Sequence, residues 1–145
     1  MPQEPVRPRR LPFEEMLKLL VAEHAVMKEK LGAIRTAAGA EDFSEASRLL
    51  RELDAVFRQH IADEEAQILS MLVARLGVEG AKEEIRVFQQ HRPIYALMTS
   101  VSSMAAMGSS ELRANSGRLL ELLDAHSSAE EGSVFPKALR CAKSG

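Results

Sequence analysis

Two strings in this chain pair an imidazole with a carboxylate at one spacing. In "HIADEEAQIL" His60 stands four residues before Glu64, and in "HSSAEEGSVF" His126 stands four before Glu130. On a helix, residues four apart share a face one turn apart. Each pair therefore aims a nitrogen and an oxygen at neighbouring points. The strings align without a gap, Glu64 on Glu130, Glu65 on Glu131, Ile68 on Val134 and Leu69 on Phe135. The other two of the four histidines, His24 and His91, keep the same register: 67 residues separate His24 from His91, and 66 separate His60 from His126. The second half of the chain repeats the first.

The chemistry follows from the surroundings. Each histidine lies in an apolar helical stripe, for example Leu17, Leu20, His24, Met27, Leu31 and Ile34. Four imidazoles and two carboxylates would converge inside one core, where unpartnered polar groups cost several kcal/mol each. A cation resolves this, with neutral imidazole nitrogens and carboxylate oxygens as ligands and its charge compensating theirs. Two antiparallel His-x-x-x-Glu helices, with one histidine from each remaining helix, would surround two adjacent metal positions. The candidate ligands are His24, His60, Glu64, His91, His126 and Glu130. All donors are nitrogen or oxygen, which suits iron and leaves zinc or another divalent metal open.

Four helical patterns must position these groups. The first carries the His24 stripe and ends at "TAAGAED", with Gly39 expected as its C-terminal cap. The second starts at an N-cap near Asp42 or Ser44, runs through Leu49, Leu53, Val56, His60, Glu64, Ile68 and Met71 or Leu72, and closes at Gly77. The third spans about Glu79 to Met107, with Ile85, Phe88, His91, Tyr95, Met98 and Val101 on one face and a kink or break expected at Pro93. After the turn at Gly108, Ser109 and Ser110, the fourth carries Leu112, Leu119, Leu123, His126, Glu130 and Val134, and Pro136 is expected to kink or end it. No segment alternates as a strand does. The expected fold is all-α, an up-down-up-down four-helix bundle with a metal site in its core, built from helices of roughly 25–30 residues. The domain is expected over 12–141. Residues 1–11 are expected to form a flexible N-terminal arm, since "MPQEPVRPRRLP", residues 1–12, holds four prolines and three arginines.

Composition sets bounds. The 145 residues are 46% hydrophobic and 28% charged, the balance of one globular domain. A net charge of −2 makes no electrostatic case for nucleic acid or an anionic membrane. The single cysteine, Cys141, rules out an internal disulfide framework. No apolar run approaches the roughly 20 residues of a membrane span, and a cytoplasmic protein is expected.

The order His24, His60-xxx-Glu64, His91, His126-xxx-Glu130, with the endings "EEAQIL" and "EEGSVFP", resembles the hemerythrin-like family, the HHE cation-binding domains. The resemblance covers about residues 12–140. It implies a four-helix bundle around a non-haem di-iron centre, bridged by the two carboxylates and an oxo or hydroxo group. The chain departs from the oxygen-carrying hemerythrins at two places. They have His-x-x-x-His on the third helix, where Tyr95 stands here in the second position. They have His-x-x-x-x-Asp on the fourth, where Glu131 stands in the aspartate position and Glu130 is chosen by the internal repeat. Tyr95 is either a further ligand or hydrogen-bond donor, or a packing residue, and Glu131 is the alternative carboxylate. Glu23, Asp63, Glu65 and Gln90 are near enough in sequence to serve the free imidazole nitrogens.

Two near-octahedral irons offer about twelve positions, of which these ligands and a bridge would leave about two open, or about one if Tyr95 binds. The expected function is binding or reduction of a small oxidant: oxygen, peroxide or nitric oxide, in oxidative or nitrosative stress or in iron handling. The alternative is an iron- or redox-responsive module without turnover. Whether the protein is an enzyme is left open.

Overall fold

The structure is a computed structural model that describes residues 6–144. Among these, every regular element is helical. Helix α1 spans Phe13–Gly39 and α2 spans Phe43–Asp63. A π-helical turn, Glu64–Leu69, joins α2 to α3, Ser70–Gly80. Helices α4, Lys82–Gln89, and α5, His91–Met107, form the third segment. The fourth is α6, Leu112–Ala129, a second π-helical turn, Glu130–Val134, and α7, Phe135–Lys143. Helix α1 packs against α2 and α6, and α5 packs against the same two, while α7 packs against α3 and α1.

Local chemistry explains most boundaries. Asp42 caps α2, its carboxylate accepting from the Glu45 N–H at 3.1 Å. Gly39 is the last residue of α1 rather than its cap, and the left-handed position falls on Glu41, with φ 56°. Gly77 leaves helical geometry at φ 74° and ψ 169°, breaking α3 where the sequence expects an end. The third segment breaks at Gln90. Pro93 lies three residues further on and has no N–H for the Gln89 carbonyl. Gly108 takes the left-handed conformation that ends α5. Pro136 does not end the fourth segment. It sits in the first turn of α7, directly after the π-helical turn, and the helical path continues through it.

The two π-helical turns occupy equivalent places in the repeat, and their cause is visible in burial. His60, Glu64, Ile68 and Leu72 are all buried, as are His126, Glu130, Val134 and Ala138. Each series advances by fours. In a straight α-helix a four-residue step overshoots one turn by about 40°, so the stripe would wind off the core within three steps. A π-helical turn takes up the extra residue and holds all four on one face.

The apolar core is split in two. One cluster gathers Met27, Leu31, Ile34, Leu50, Leu53, Phe57, Met98 and Leu119. The other gathers Met16, Leu20, Ile68, Leu72, Phe88, Val134 and Phe135. The six histidines and glutamates form the layer between them, since His24 lies between Leu20 and Met27 along α1 and His91 between Phe88 and Ile94. No helix among the described residues is long and apolar enough to cross a membrane.

Candidate metal centre

All four histidines, with Glu64 and Glu130, are buried together. They form two overlapping groups: His24, His60, Glu64 and Glu130, then Glu64, His91, His126 and Glu130, each with its candidate ligand atoms within 4.8 Å of one another. The two carboxylates belong to both groups. The imidazoles turn Nε2 inward. His24 Nε2 lies 2.9 Å from Glu130 Oε1, His126 Nε2 3.1 Å from the same oxygen, and His91 Nε2 3.3 Å from Glu64 Oε2, while His60 Nε2 contacts Glu64 Oε1.

These approaches leave polar atoms orphaned. His60 Nε2, His126 Nε2, both nitrogens of His91, both oxygens of Glu64 and Glu130 Oε2 are buried without a hydrogen bond. Lone pairs from two residue types converge on one space, and only positive charge can satisfy them: protons on the imidazoles, or a cation. With protein groups alone, protons take that role. Burial works against a charged His60, but Glu64 and Glu23 raise it to about 10. Burial likewise opposes charge on His91, and Glu64 raises it to about 9. Burial opposes charge on Glu64 too, and His60 outweighs it, holding the carboxyl well below its ordinary value. The donor set, its burial and its orphaned atoms fit a divalent cation at each group.

The outward nitrogens are held from other helices. His60 Nδ1 is 3.0 Å from Glu23, His24 Nδ1 2.8 Å from Glu131, and His126 Nδ1 2.9 Å from Gln90. Glu131 therefore buttresses His24 from outside the cluster, and Glu130 is the carboxylate inside it. Of the four outer candidates read from the sequence, Glu23 and Gln90 bond histidines, Glu65 stands 3.9 Å from His91 Nδ1, and Asp63 pairs with Arg9 instead. Aromatic rings close the layer: Phe135 stacks on His24, and Phe57 and Phe88 meet His91 edge-on.

Tyr95 is not brought to the cluster. It is 38% exposed and lines an open groove between α2 and α5 with Leu50, Arg58 and Met98. The buried stripe of α5 passes from His91 to Ile94 and Met98, and Tyr95 falls beside it. Of the two readings of Tyr95, its exposure in this groove favours a packing residue over a ligand.

Sequence reasoning missed a strap. Of the expected arm, residues 1–5 lie outside the described residues. Residues 7–11 run along α2 and its π-helical turn. Gln59 donates to the Arg7 carbonyl, the Arg9 N–H donates to Asp63, and Gln67 donates to the Leu11 carbonyl. The register is simple, since extended chain presents every second residue to one side while a helix presents every fourth. Gln59, Asp63 and Gln67 stand four apart, a signal readable beforehand beside the histidine stripe. The Arg9 guanidinium also pairs with Asp63 and with Glu23, which supports His60. Arg9→Ala is expected to cost about 1–2 kcal/mol, discounted because the guanidinium is partly exposed while Asp63 is fully buried. An unchanged denaturation midpoint would reduce the strap to an ornament.

A family model described as the hemerythrin HHE cation binding domain matches residues 15–92. The match takes in His24, His60, Glu64 and His91, while His126 and Glu130 lie beyond it and enter by the repeat and the geometry. No curated protein and no solved structure was found to match the chain.

Proposed function

Since the chain belongs to the hemerythrin HHE cation-binding domain family, we propose that it is a non-haem di-iron protein that binds or reduces a small oxidant: oxygen, peroxide or nitric oxide. The observation that carries this reading is the pair of buried groups sharing Glu64 and Glu130. His24 and His60 would hold one ion, His91 and His126 the other, and the two carboxylates would serve both. Iron would supply a redox couple and open positions for a small ligand. The chain's own part is positional. Nδ1 partners fix the ring orientation of His24, His60 and His126. Phe57, Phe88 and Phe135 keep water from the imidazoles. Four helical segments with short connections support an up-down-up-down bundle over about 12–141. Oxidative or nitrosative stress, or iron handling, is the setting this chemistry suits.

The test is metal content and optical spectrum of aerobically purified protein, repeated after adding peroxide. About two irons per chain is expected from the two groups, with ferric absorption that Tyr95→Phe leaves unchanged and with loss of added peroxide. Iron without any response to peroxide, oxygen or nitric oxide would favour a responsive module without turnover. Zinc alone, or no metal after anaerobic ferrous loading, would sink the reading.

A further inference from the structure

The internal repeat is broken at one outer position. Glu23 precedes His24 by one residue, and Gln90 precedes His91 by one. Each reaches across to the histidine of the neighbouring His-x-x-x-Glu helix, Glu23 to His60 Nδ1 at 3.0 Å and Gln90 to His126 Nδ1 at 2.9 Å. The geometry is conserved between the halves while the charge is not. The second pair of outer residues departs in distance. Glu131 is 2.8 Å from His24 Nδ1, but its counterpart Glu65 stands 3.9 Å from His91 Nδ1, which has no hydrogen bond.

The asymmetry falls along the line between the two groups. Both imidazoles of the His24 and His60 group are anchored by carboxylates. In the His91 and His126 group one imidazole rests on a neutral amide and the other is unanchored. A carboxylate that accepts from Nδ1–H fixes the tautomer, draws positive charge onto the ring and makes Nε2 a stronger donor. An amide oxygen orients the ring but adds no charge. Arg9 pairs with both Glu23 and Asp63, so that trio still leaves one net negative charge on this flank.

We propose that the two cation positions are unequal: the His24 and His60 position binds a divalent metal more tightly and fills first, with Glu23 and Glu131 as positioning residues, and Gln90 keeps the other position weaker. This rests on the two-cation reading above. Outer partners of this kind change metal affinity by about 10–100-fold, so the separation should be measurable. The arrangement would let one ion stay resident while the second exchanges.

The experiment is an anaerobic titration of the chelator-stripped full chain with Co2+, followed by cobalt absorption and calorimetry. The wild-type chain is expected to fill in two steps at least about 10-fold apart. Glu23→Gln should weaken the first step alone by about 10-fold or more, and Gln90→Glu should tighten the second alone. His60→Ala should remove the tight step and His126→Ala the weak one. A general loss of structure would move both steps together, so the selectivity separates positioning from folding. The inference is overturned if wild-type steps coincide, if His60→Ala spares the tight step, or if neither outer variant moves its step. Failure to bind any Co2+ would instead overturn the two-cation reading, and this inference with it.

Discussion

Glu64→Ala is expected to strip metal from both positions, whereas His60→Ala should leave about one ion per chain. The contrast comes from geometry alone. Glu64 and Glu130 belong to both buried groups, while each histidine belongs to one. Loss of a shared carboxylate removes a ligand from each position and a negative charge from between them, a larger change than the 10–100-fold effect of an outer partner. His60→Ala and His126→Ala should each lower metal content sharply, yet leave the opposite group intact. Elemental analysis after anaerobic ferrous loading measures this, with circular dichroism confirming helix content. Equal losses from the glutamate and histidine variants would mean the carboxylates are not shared. Full iron retention in both histidine variants would refute the site.

Removing one tightly held ion should lower the thermal midpoint by roughly 10 °C. A ligand at about 100 times its dissociation constant contributes about 2.7 kcal/mol, and a chain of this size shifts by about 4 °C per kcal/mol. The effect should depend on pH. In the stripped protein, His60 and His91 have pKa values raised from 6.5 to about 10 and about 9. A raised pKa contributes stability that is complete below about 6.5 and is lost as pH rises through 9 and 10. Metal must displace those protons, so loading at pH 7 should release about two protons per chain, one from each imidazole. Metal affinity should therefore fall as pH falls, and the midpoint gained on loading should grow from pH 7 to pH 10. Indicator-dye and calorimetric titrations read both quantities. A gain independent of pH, with no proton release, would place binding elsewhere.

The amino-acid sequence by itself determines the helical class and the six converging donors. Both follow from periodicity, and a helix turns every fourth residue to one side whatever surrounds it. It also contains the spacing behind the π-helical turns, because residues advancing by fours from His60 to Leu72 and from His126 to Ala138, all four buried in each series, need about one extra residue over three turns. The stripe passes to Leu72, which is fully buried, and not to Met71, which is partly exposed. Only the tertiary structure decides who supports whom. Glu131 reaches His24 across 107 residues of chain and Gln90 reaches His126 across 36. No local spacing encodes such pairs, because they depend on how far each helix is rotated about its own axis against its neighbour. The same rotation turns Tyr95 outward and Ile94 inward on α5, and brings Arg9 from a proline-rich arm onto Asp63 and Glu23. Spacing along one helix is local and legible. Contact between helices is set by burying the whole apolar surface at once, and it appears only when the chain has packed.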